Sequence, residues 1–437
     1  MKLGKGHDMK LESRTIILGG IGVTVLCLVG AAVAASGTSE SAHSTMAAAS
    51  QAPATPVRPA LAPISGREIA LAMGVGQAGA PAAGQKPRMA GEVFKNVQVL
   101  KEIHVDDFMG TMGLMSAALG YCCSECHTGA GTQHVDWGDD PPMKRVARRM
   151  VTMVTEINKA NFGGRQVVTC WTCHRGRDLP VVTPSMDAVY SEPKLEMDDV
   201  LTRAAGVPSV DQILDRYLQA IGGAQTVAGI TSVVATGKSV FYGGFGGGAE
   251  VEFFAKAPDQ RAIHIRYPVD PDRGVASRTY NGRTGWNVTP LAPLGRYELT
   301  GSQLDGAPLD ALLSFPGQTK QALTNLRVGP PTQFNGKDYD VVQGNGLRGV
   351  IGTLYFARDS GLLERVVRLT PSAIGRVPIQ MDYADYRDVG SSGIKMPYRW
   401  TLSWLDGVDN IELGDIRLNA PIDAAKFGEP TPLATQR

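Results

Sequence analysis

The sequence predicts a multidomain protein with an N-terminal transmembrane helix, a small α-helical domain and a C-terminal α+β domain dominated by an antiparallel sheet. Three observations support this fold class. A run of 21 uncharged, mainly apolar residues extends from Thr15 to Ala35. Two helical patterns follow, and each precedes a Cys-x-x-Cys-His string. From Val233 onward, alternating polarity and turn signals are typical of strands.

Length and charge narrow the class of protein further. A chain of 437 residues has room for two or three domains. The 43 Lys and Arg residues nearly balance the 42 Asp and Glu residues, which gives a formal net charge of +1. Because there is no basic excess to attract phosphates, we expect no nucleic-acid partner. Six cysteines are too few for a disulfide scaffold.

The apolar run near the N-terminus predicts a membrane anchor. Residues 1–14 carry four basic residues, and a positive flank of this kind places a cytoplasmic tail before a transmembrane helix at residues 15–35. The alternative is a cleaved signal peptide, because Ala32-Val33-Ala34 resembles a small-residue cleavage site. On either interpretation the bulk of the chain lies in the periplasm. We expect a single-pass protein of the inner (cytoplasmic) membrane.

Composition divides the rest of the chain into four segments. Residues 36–90 are rich in Ala, Pro and Gly and predict a flexible linker. Residues 91–180 carry the helical patterns and both Cys-x-x-Cys-His strings. Residues 181–207 are polar and predict a second linker, and residues 208–430 predict the β-rich domain.

Two helices are predicted ahead of the two strings. The first runs from Asp106 to Leu119 and is closed by Gly120. The second covers residues 143–161, entered through a Pro-Pro pair and ended before a Gly-Gly pair. One apolar face is expected on each helix, comprising Phe108, Met112, Met115 and Leu119 on the first and Val146, Met150, Met153 and Ile157 on the second.

The strings themselves, Cys123 to His127 and Cys170 to His174, predict covalent haem. Two cysteines at this spacing form thioethers to one haem, and the adjacent histidine binds its iron. A zinc ribbon would need a shorter pair spacing than the 44 residues from Cys126 to Cys170, and zinc does not explain both histidines. A thioredoxin-like dithiol would need a βαβ context that is absent from the sequence. We therefore expect two covalently bound haem c groups, held by Cys123, Cys126, Cys170 and Cys173, with His127 and His174 on the irons.

The residues alone leave more than one candidate for the sixth ligand of each iron. Each helix lies directly upstream of its string, so its apolar face can cover the distal side of that haem. Methionine on an apolar face is usually core filler, but here both faces point towards an iron that needs a ligand. A methionine ligand raises the reduction potential relative to a second histidine. Spacing leaves open Met109, Met112, Met115, Met150, Met153, His104, His134 and His264.

Residues 94–177 resemble the photosynthetic reaction-centre cytochrome c subunit family. The matching stretches are Lys95 to Leu100, Met112 to Gly120, Arg149 to Asn158, and Val168 to Cys170. In that family each methionine-ligated haem takes its methionine from the helix before the attachment string. The resemblance therefore implies Met112 for the first haem iron and Met150 for the second.

One departure from the family concerns the number of haems. The best-known members carry four haems, and one of these takes a second histidine from a Trp-x-x-His segment. The equivalent stretch here is Asn161-Phe162-Gly163-Gly164, which has no histidine. The resemblance thus implies a shortened, dihaem relative of the tetrahaem proteins.

The C-terminal domain contains weaker signals. A helix is expected at Val210 to Gly222, and Asp359-Ser360-Gly361 separates two apolar runs as in a hairpin. Together these features loosely resemble LolA/LolB-type lipoprotein carriers, whose fold curls an antiparallel sheet over a helix and can hold an acyl chain. No catalytic constellation is evident, so we expect a docking or supporting role.

These observations predict an electron-transfer protein and not an enzyme. The family resemblance implies that it passes electrons to the photo-oxidised special pair of a photosynthetic reaction centre, in contact with the core subunits, after a soluble periplasmic donor has reduced it. One alternative is a respiratory carrier that feeds an oxidase or another membrane redox complex. Another is a binding protein that holds a lipid-like ligand in the β-domain and senses redox state through its haems.

Overall fold

A computed structural model describes residues 86–132, 134–191, 196–202, 204–242, 248–266, 275–289 and 293–431. The predicted anchor at residues 15–35 and nearly all of the first linker lie outside these ranges. Within them, no helix combines the length and the apolar character needed to cross a membrane.

Among the described residues, five α-helices lie between residues 86 and 191, and three lie in the β-rich part. They are α1 (Ala90–Val93), α2 (Val105–Leu119), α3 (Pro142–Phe162), α4 (Cys170–His174), α5 (Met186–Tyr190), α6 (Val210–Ala220), α7 (Ala224–Ala228) and α8 (Ser302–Leu312). Both long helices predicted before the strings are present as α2 and α3. Each ends at a glycine in the left-handed conformation, Gly120 and Gly163, as C-cap chemistry favours.

The strands of the described ranges form one large antiparallel sheet. They are β1 (Ser232–Tyr242), β2 (Ala249–Lys256), β3 (Gln260–Arg266), β4 (Val275–Tyr280), β5 (Gly285–Val288), β6 (Arg296–Leu299), β7 (Thr324–Val328), β8 (Thr332–Phe334), β9 (Lys337–Asn345), β10 (Ile351–Ala357), β11 (Leu363–Ser372), β12 (Gly375–Asp388), β13 (Lys395–Trp404) and β14 (Gly407–Leu418). The order is β6-β5-β4-β3-β2-β1-β14-β13-β12-β11-β10-β9-β7, with β8 paired to β9. The first and last strands are therefore central neighbours, and the predicted hairpin at residues 359–361 joins β10 to β11.

The main hydrophobic core lies between this sheet and helix α6. Ser209 caps the helix by accepting a hydrogen bond from the Gln212 backbone N–H, and its Ile213, Leu214, Tyr217 and Leu218 are buried. Tyr217 packs against Phe356 of β10 with ring centroids 5.4 Å apart. The prediction of an antiparallel sheet that carries this helix is confirmed.

A second long helix, α8, was not predicted. It contains Gly306 and Pro308, which are poor helix formers and obscure its pattern in the sequence. The reason for Gly306 is close packing: a Cβ there would lie 1.8 Å from Nη1 of the buried Arg368. The predicted linker at residues 181–207 also has ordered contacts, because Leu201 is buried and its N–H donates to Gln343.

The helical segment is attached to the sheet by polar and apolar contacts. At the N-terminus of α2, both carboxylate oxygens of Asp106 accept a hydrogen bond from the Gly301 N–H, at 2.9 and 3.0 Å. Asp107 accepts one from the Ser302 N–H at 2.9 Å, so two acidic side chains cap the start of α8. One small apolar cluster, Leu114, Val151 and Ile374, joins α2, α3 and the β11–β12 turn.

Candidate functional site

The surface of helix α2 has three sides with different surroundings. Thr111, Leu114 and Ala118, spaced three and four residues apart, are buried on one side. Gly110 and Gly113 lie on a second side, where a Cβ would approach Val377 and Leu405 of the sheet domain to 3.4 Å. The predicted face, Phe108, Met112, Met115 and Leu119, is the third side and is only half-buried.

The first string forms a short 3-10 turn, Cys123–Glu125, followed by Cys126 and His127. The His127 ring packs edge-on against Trp137, with centroids 5.0 Å apart. Its Nδ1 atom is buried and has no hydrogen-bond partner in the described chain. Burial, and then the positive charge of Lys144, lower the pKa of His127 to about 4. The ring is thus neutral at neutral pH, the form that binds a metal.

The second string is helix α4 itself. Thr169 caps it by accepting a hydrogen bond from the Thr172 N–H at 3.4 Å. After His174 the chain reverses at Arg175, which is left-handed with φ 51°, so that the Arg177 carbonyl lies 3.0 Å from His174 Nδ1. A carbonyl can only accept, so the proton is on Nδ1 and Nε2 keeps its lone pair. This is the usual arrangement of a metal-binding histidine.

A backbone contact brings the two strings together. The Gly176 N–H, after the second string, donates to the Ala118 carbonyl near the end of α2, at 2.9 Å. Gly120, which precedes the first string, has φ 66°, and a Cβ there would lie 2.4 Å from the Gly176 carbonyl oxygen. Only glycine fits this position without a shift of the backbone. The end of α2 therefore holds the first string beside the turn that follows the second.

Ion pairs fix the loop between the first string and α3. Lys144 pairs with Asp139 at 2.5 Å and donates to the Trp137 carbonyl at 3.1 Å. The Lys144 hydrogen bond, with one from Thr128, lowers the pKa of Asp139 to about 2. Arg148 pairs with Asp140 at 2.5 Å. The loop that carries Trp137 is thereby held against the His127 ring.

Helix α3 presents apolar side chains that the described protein does not cover. Its buried residues are Val151, Val154 and Asn158, not the predicted apolar face. On that predicted face Val146 is 39% exposed and Met153 is 42% exposed. Trp171 of the second string is also 49% exposed. Val146 and Met153 are therefore not packed into a protein core of the described residues. An uncovered apolar surface beside an attachment string fits a flat apolar group such as haem.

The cysteines and the remaining histidines have different surroundings. Cys123, Cys126, Cys170 and Cys173 are free thiols, and burial raises the pKa of the first three. A reactive dithiol needs a lowered pKa, so the dithiol alternative loses support. In the described ranges, no three His, Cys, Asp or Glu side chains are grouped as a metal site.

Two of the alternative histidine ligands are engaged elsewhere. His264 shares hydrogen bonds with Ser277 Oγ at 2.8 Å and with the Lys426 carbonyl at 3.3 Å, so both ring nitrogens have partners. His104 Nδ1 lies 3.0 Å from Thr300 Oγ1, at the contact between the helical segment and the sheet. His134 is exposed in the loop after the first string.

Comparisons with known proteins support the family resemblance of the segment that carries the two strings. Residues 67–211 match the family model described as photosynthetic reaction centre cytochrome C subunit. The photosynthetic reaction center cytochrome c subunit of Thermochromatium tepidum is 38% identical over 106 residues, which cover 23% of this chain and 25% of that protein. The subunit of the same name from Roseobacter denitrificans is 34% identical over 99 residues, covering 21% and 26%. The predicted resemblance to this family is confirmed for the segment with the two strings.

The match is limited in extent. This chain covers about a quarter of the length of those relatives. Among solved structures, a LolA superfamily protein from Nitrosomonas europaea is similar over 51% of this chain and 99% of its own, with a TM-score of 0.34 and 14% identity. A putative outer membrane lipoprotein-sorting protein domain from Vibrio parahaemolyticus also has a TM-score of 0.34, with 10% identity over 49% and 94% of the two chains.

Proposed function

We propose that this protein is a membrane-anchored, periplasmic c-type cytochrome with two haems that relays electrons to a membrane complex. The observation that carries the proposal is the repeated arrangement of a helix, a Cys-x-x-Cys-His string and an uncovered or half-covered apolar helix face. The polar atoms agree, since the lowered pKa of His127 keeps its ring neutral and the Arg177 carbonyl engages His174 at Nδ1, which leaves Nε2 for a metal.

The residues have distinct roles in this proposal. Cys123 and Cys126 hold the first haem, and Cys170 and Cys173 hold the second. His127 and His174 are the proximal ligands. When bound, the haems supply reversible one-electron redox chemistry, and the chain fixes their positions and their environment.

Met112 and Met150 are the proposed distal ligands. Both lie on half-buried helix faces directly upstream of a string. Thioether ligation favours the reduced iron and raises the potential, which suits a donor to a strong oxidant. With two protein ligands on each iron no coordination site is open to a substrate, so the proposed role is electron transfer and not catalysis.

The proposed acceptor follows from the relatives. Both are named as photosynthetic reaction center cytochrome c subunits and are 34–38% identical over 99–106 residues. The family model of that name matches residues 67–211, which include both strings. We therefore assign a photo-oxidised reaction centre as the acceptor and a soluble periplasmic carrier as the donor. The N-terminal apolar helix would keep the protein at the membrane surface where such an acceptor is found.

The haem content tests the proposal directly. The full chain should be expressed in cells that attach c-type haem, and its haem should be counted by pyridine haemochrome assay and intact mass. We expect two haems per chain, one after C123S/C126S and one after C170S/C173S. A wild-type chain with one haem or none would contradict the proposal.

A further inference from the structure

A cavity of about 320 Å³ lies between the concave face of the sheet and two helices. Strands β3, β4, β11, β12 and β13 form its floor. Helix α2, through Met109, Gly110 and Gly113, and helix α8 close the other side. A volume of this size is within the range of small-molecule sites. The cavity is separate from the apolar helix faces that we assign to the haems.

Most of the wall is aliphatic. Alternate residues of β3, β4 and β12 face inward, because successive side chains of a strand point to opposite sides of the sheet. The apolar lining includes Ile263, Ile265, Val288, Leu299, Val366, Val377, Ile379, Met381 and Leu402. An elongated apolar body would lose contact with water where it lies against these side chains.

Three arginines line this apolar space, two from the adjacent strands β3 and β4 and one from β11. Arg261 of β3 and Arg278 of β4 are diagonal neighbours, since Ile263 pairs with Arg278. Arg368 of β11 is 1% exposed, and its Nη1 atom is buried without a hydrogen-bond partner in the described chain. Its Nε atom is paired with Asp310 and its Nη2 atom donates to Gln303, so only Nη1 lacks a partner. A buried donor without a partner is costly.

Two of these arginines form no ion pair with a carboxylate of the described residues, although the Asp310 charge acts on Arg261 from a longer distance. Asp310 pairs with Arg368 Nε at 3.0 Å. Arg278 has only the neutral Gln303 amide oxygen, at 3.2 Å. Arg261 lies over the Phe253 ring, 5.2 Å from its centroid, and no described carboxylate oxygen is within 4.0 Å of its nitrogens. Asp310 is thus already engaged with the third arginine.

The other two acids in the wall are engaged by different groups. Asp106 accepts from the Gly301 N–H, as described above. Asp406 accepts from the Trp404 side chain and from its own backbone N–H. Burial raises the pKa of both carboxyls. They therefore do not neutralise Arg261 and Arg278.

We propose that this cavity binds an apolar molecule with a single carboxylate, whose head lies between Arg261 and Arg278 and whose body lies along the aliphatic floor. A planar carboxylate accepts bidentate hydrogen bonds from guanidinium groups and would give Arg261 and Arg278 the ion pair that neither forms with a described carboxylate. Because α2 also carries Met112 on a different side, the ligand would contact the helix on which the first haem depends.

Calorimetric titration with decanoate tests this site. The full-length holoprotein would be held in lipid nanodiscs, with protein-free nanodiscs as the blank, and decanol would be the matched neutral probe. We expect saturable binding of one decanoate per chain and binding of decanol weaker by about tenfold or more, since the alcohol cannot pair with the arginines. No saturable decanoate binding, or equal binding of the alcohol, would overturn the proposal.

Variants locate the head group. Arg261→Gln should weaken decanoate binding by about tenfold, and Arg261→Lys, which keeps the charge, should retain part of it. Arg283→Gln removes an exposed arginine of the β4–β5 turn and should leave binding unchanged. Equal decanoate affinity for the R261Q variant and the wild type would refute the placement. The haem content of each variant, measured separately, distinguishes this result from a failure of the proposed electron-transfer function.

Discussion

Met112 and Met150 are the two side chains on which the proposed redox properties depend. Both are half-buried on faces that the described protein leaves partly uncovered, unlike the buried Leu114 and Val151 of the same helices. Each methionine therefore has apolar surroundings and is accessible from one side, as a thioether ligand to an iron requires.

Replacing Met112 with Ala should remove the distal ligand of one haem and leave both thioether pairs intact. We expect one of the two haems to become high-spin and its reduction potential to fall, because the thioether favours the reduced iron. Optical spectra and a redox titration of the purified variant measure both effects.

Met115→Ala is the matched control for that variant. Met115 lies three residues further along the same helix and packs with the cluster of Leu114, Val151 and Ile374. Its loss should reduce stability by about 1–3 kcal/mol and leave both haems low-spin. If M112A titrates like the wild type, or if M115A produces the high-spin signal, the assignment of Met112 is wrong.

At the scale of secondary-structure elements, the contact between the end of α2 and the turn after α4 sets the relative position of the strings. Gly120→Ala should be strongly destabilising, by about 2 kcal/mol or more, because its Cβ would lie 2.4 Å from a carbonyl oxygen in addition to the left-handed strain. Denaturant unfolding of the holoprotein measures the loss.

Gly163→Ala separates the effect of backbone strain from the effect of the steric clash with Gly176. Gly163 ends α3 with a similar φ of 61°, but nothing lies within 4 Å of the position that a Cβ would take there. This variant should lose only about 1 kcal/mol. Equal losses in the two variants would show that the contact with Gly176 is not important.

The structured elements near the strings could be predicted from sequence because their signals are local. Helices α2 and α3 follow from apolar spacing, and their ends follow from Gly120 and Pro142. Helix α8 escaped prediction because Gly306 and Pro308 argue against a helix, and the reason for Gly306 is an arginine 62 residues away. The exposure of Val146 and Met153 was also unpredictable, because an apolar pattern does not show whether protein or a cofactor covers it.

Contacts between residues far apart in the chain were even harder to predict from the sequence. Asp106 and Gly301 are 195 residues apart, and nothing local links them. The cavity is assembled from strands β3 to β13, so its three arginines appear in the sequence as isolated charges. Such sites emerge only when the topology of the sheet is known.

The contact between α2 and the start of α8, in which Asp106 accepts from the Gly301 N–H, makes the free energy of unfolding dependent on pH. Burial, and then the nearby Asp107 charge, raise the pKa of Asp106 from 3.8 to about 7. Between these values the folded state binds a proton that the unfolded state has lost, so the free energy of unfolding falls as pH rises from about 4 to about 7. Above that pH range, Asp106 no longer adds this stabilising contribution to the free energy of unfolding.

Asp106→Asn should flatten this dependence, since an amide does not titrate and its oxygen still accepts from Gly301. Denaturant unfolding at several pH values measures the slope. Asp406 and Asp409, whose pKa values are also raised by burial, remain, so the slope should decrease and not vanish. Glu156→Gln, at an exposed position of α3, is the control. An unchanged slope in D106N would contradict this account of the contact.

We propose that this protein delivers electrons to a photo-oxidised reaction centre. The most direct test is the flash-induced absorbance change in the c-haem α-band of native membranes that contain the protein. We expect haem oxidation within microseconds to milliseconds of the flash, and we expect this signal to be absent in a deletion strain. Haem that dithionite reduces but light does not oxidise would contradict it and favour a respiratory carrier.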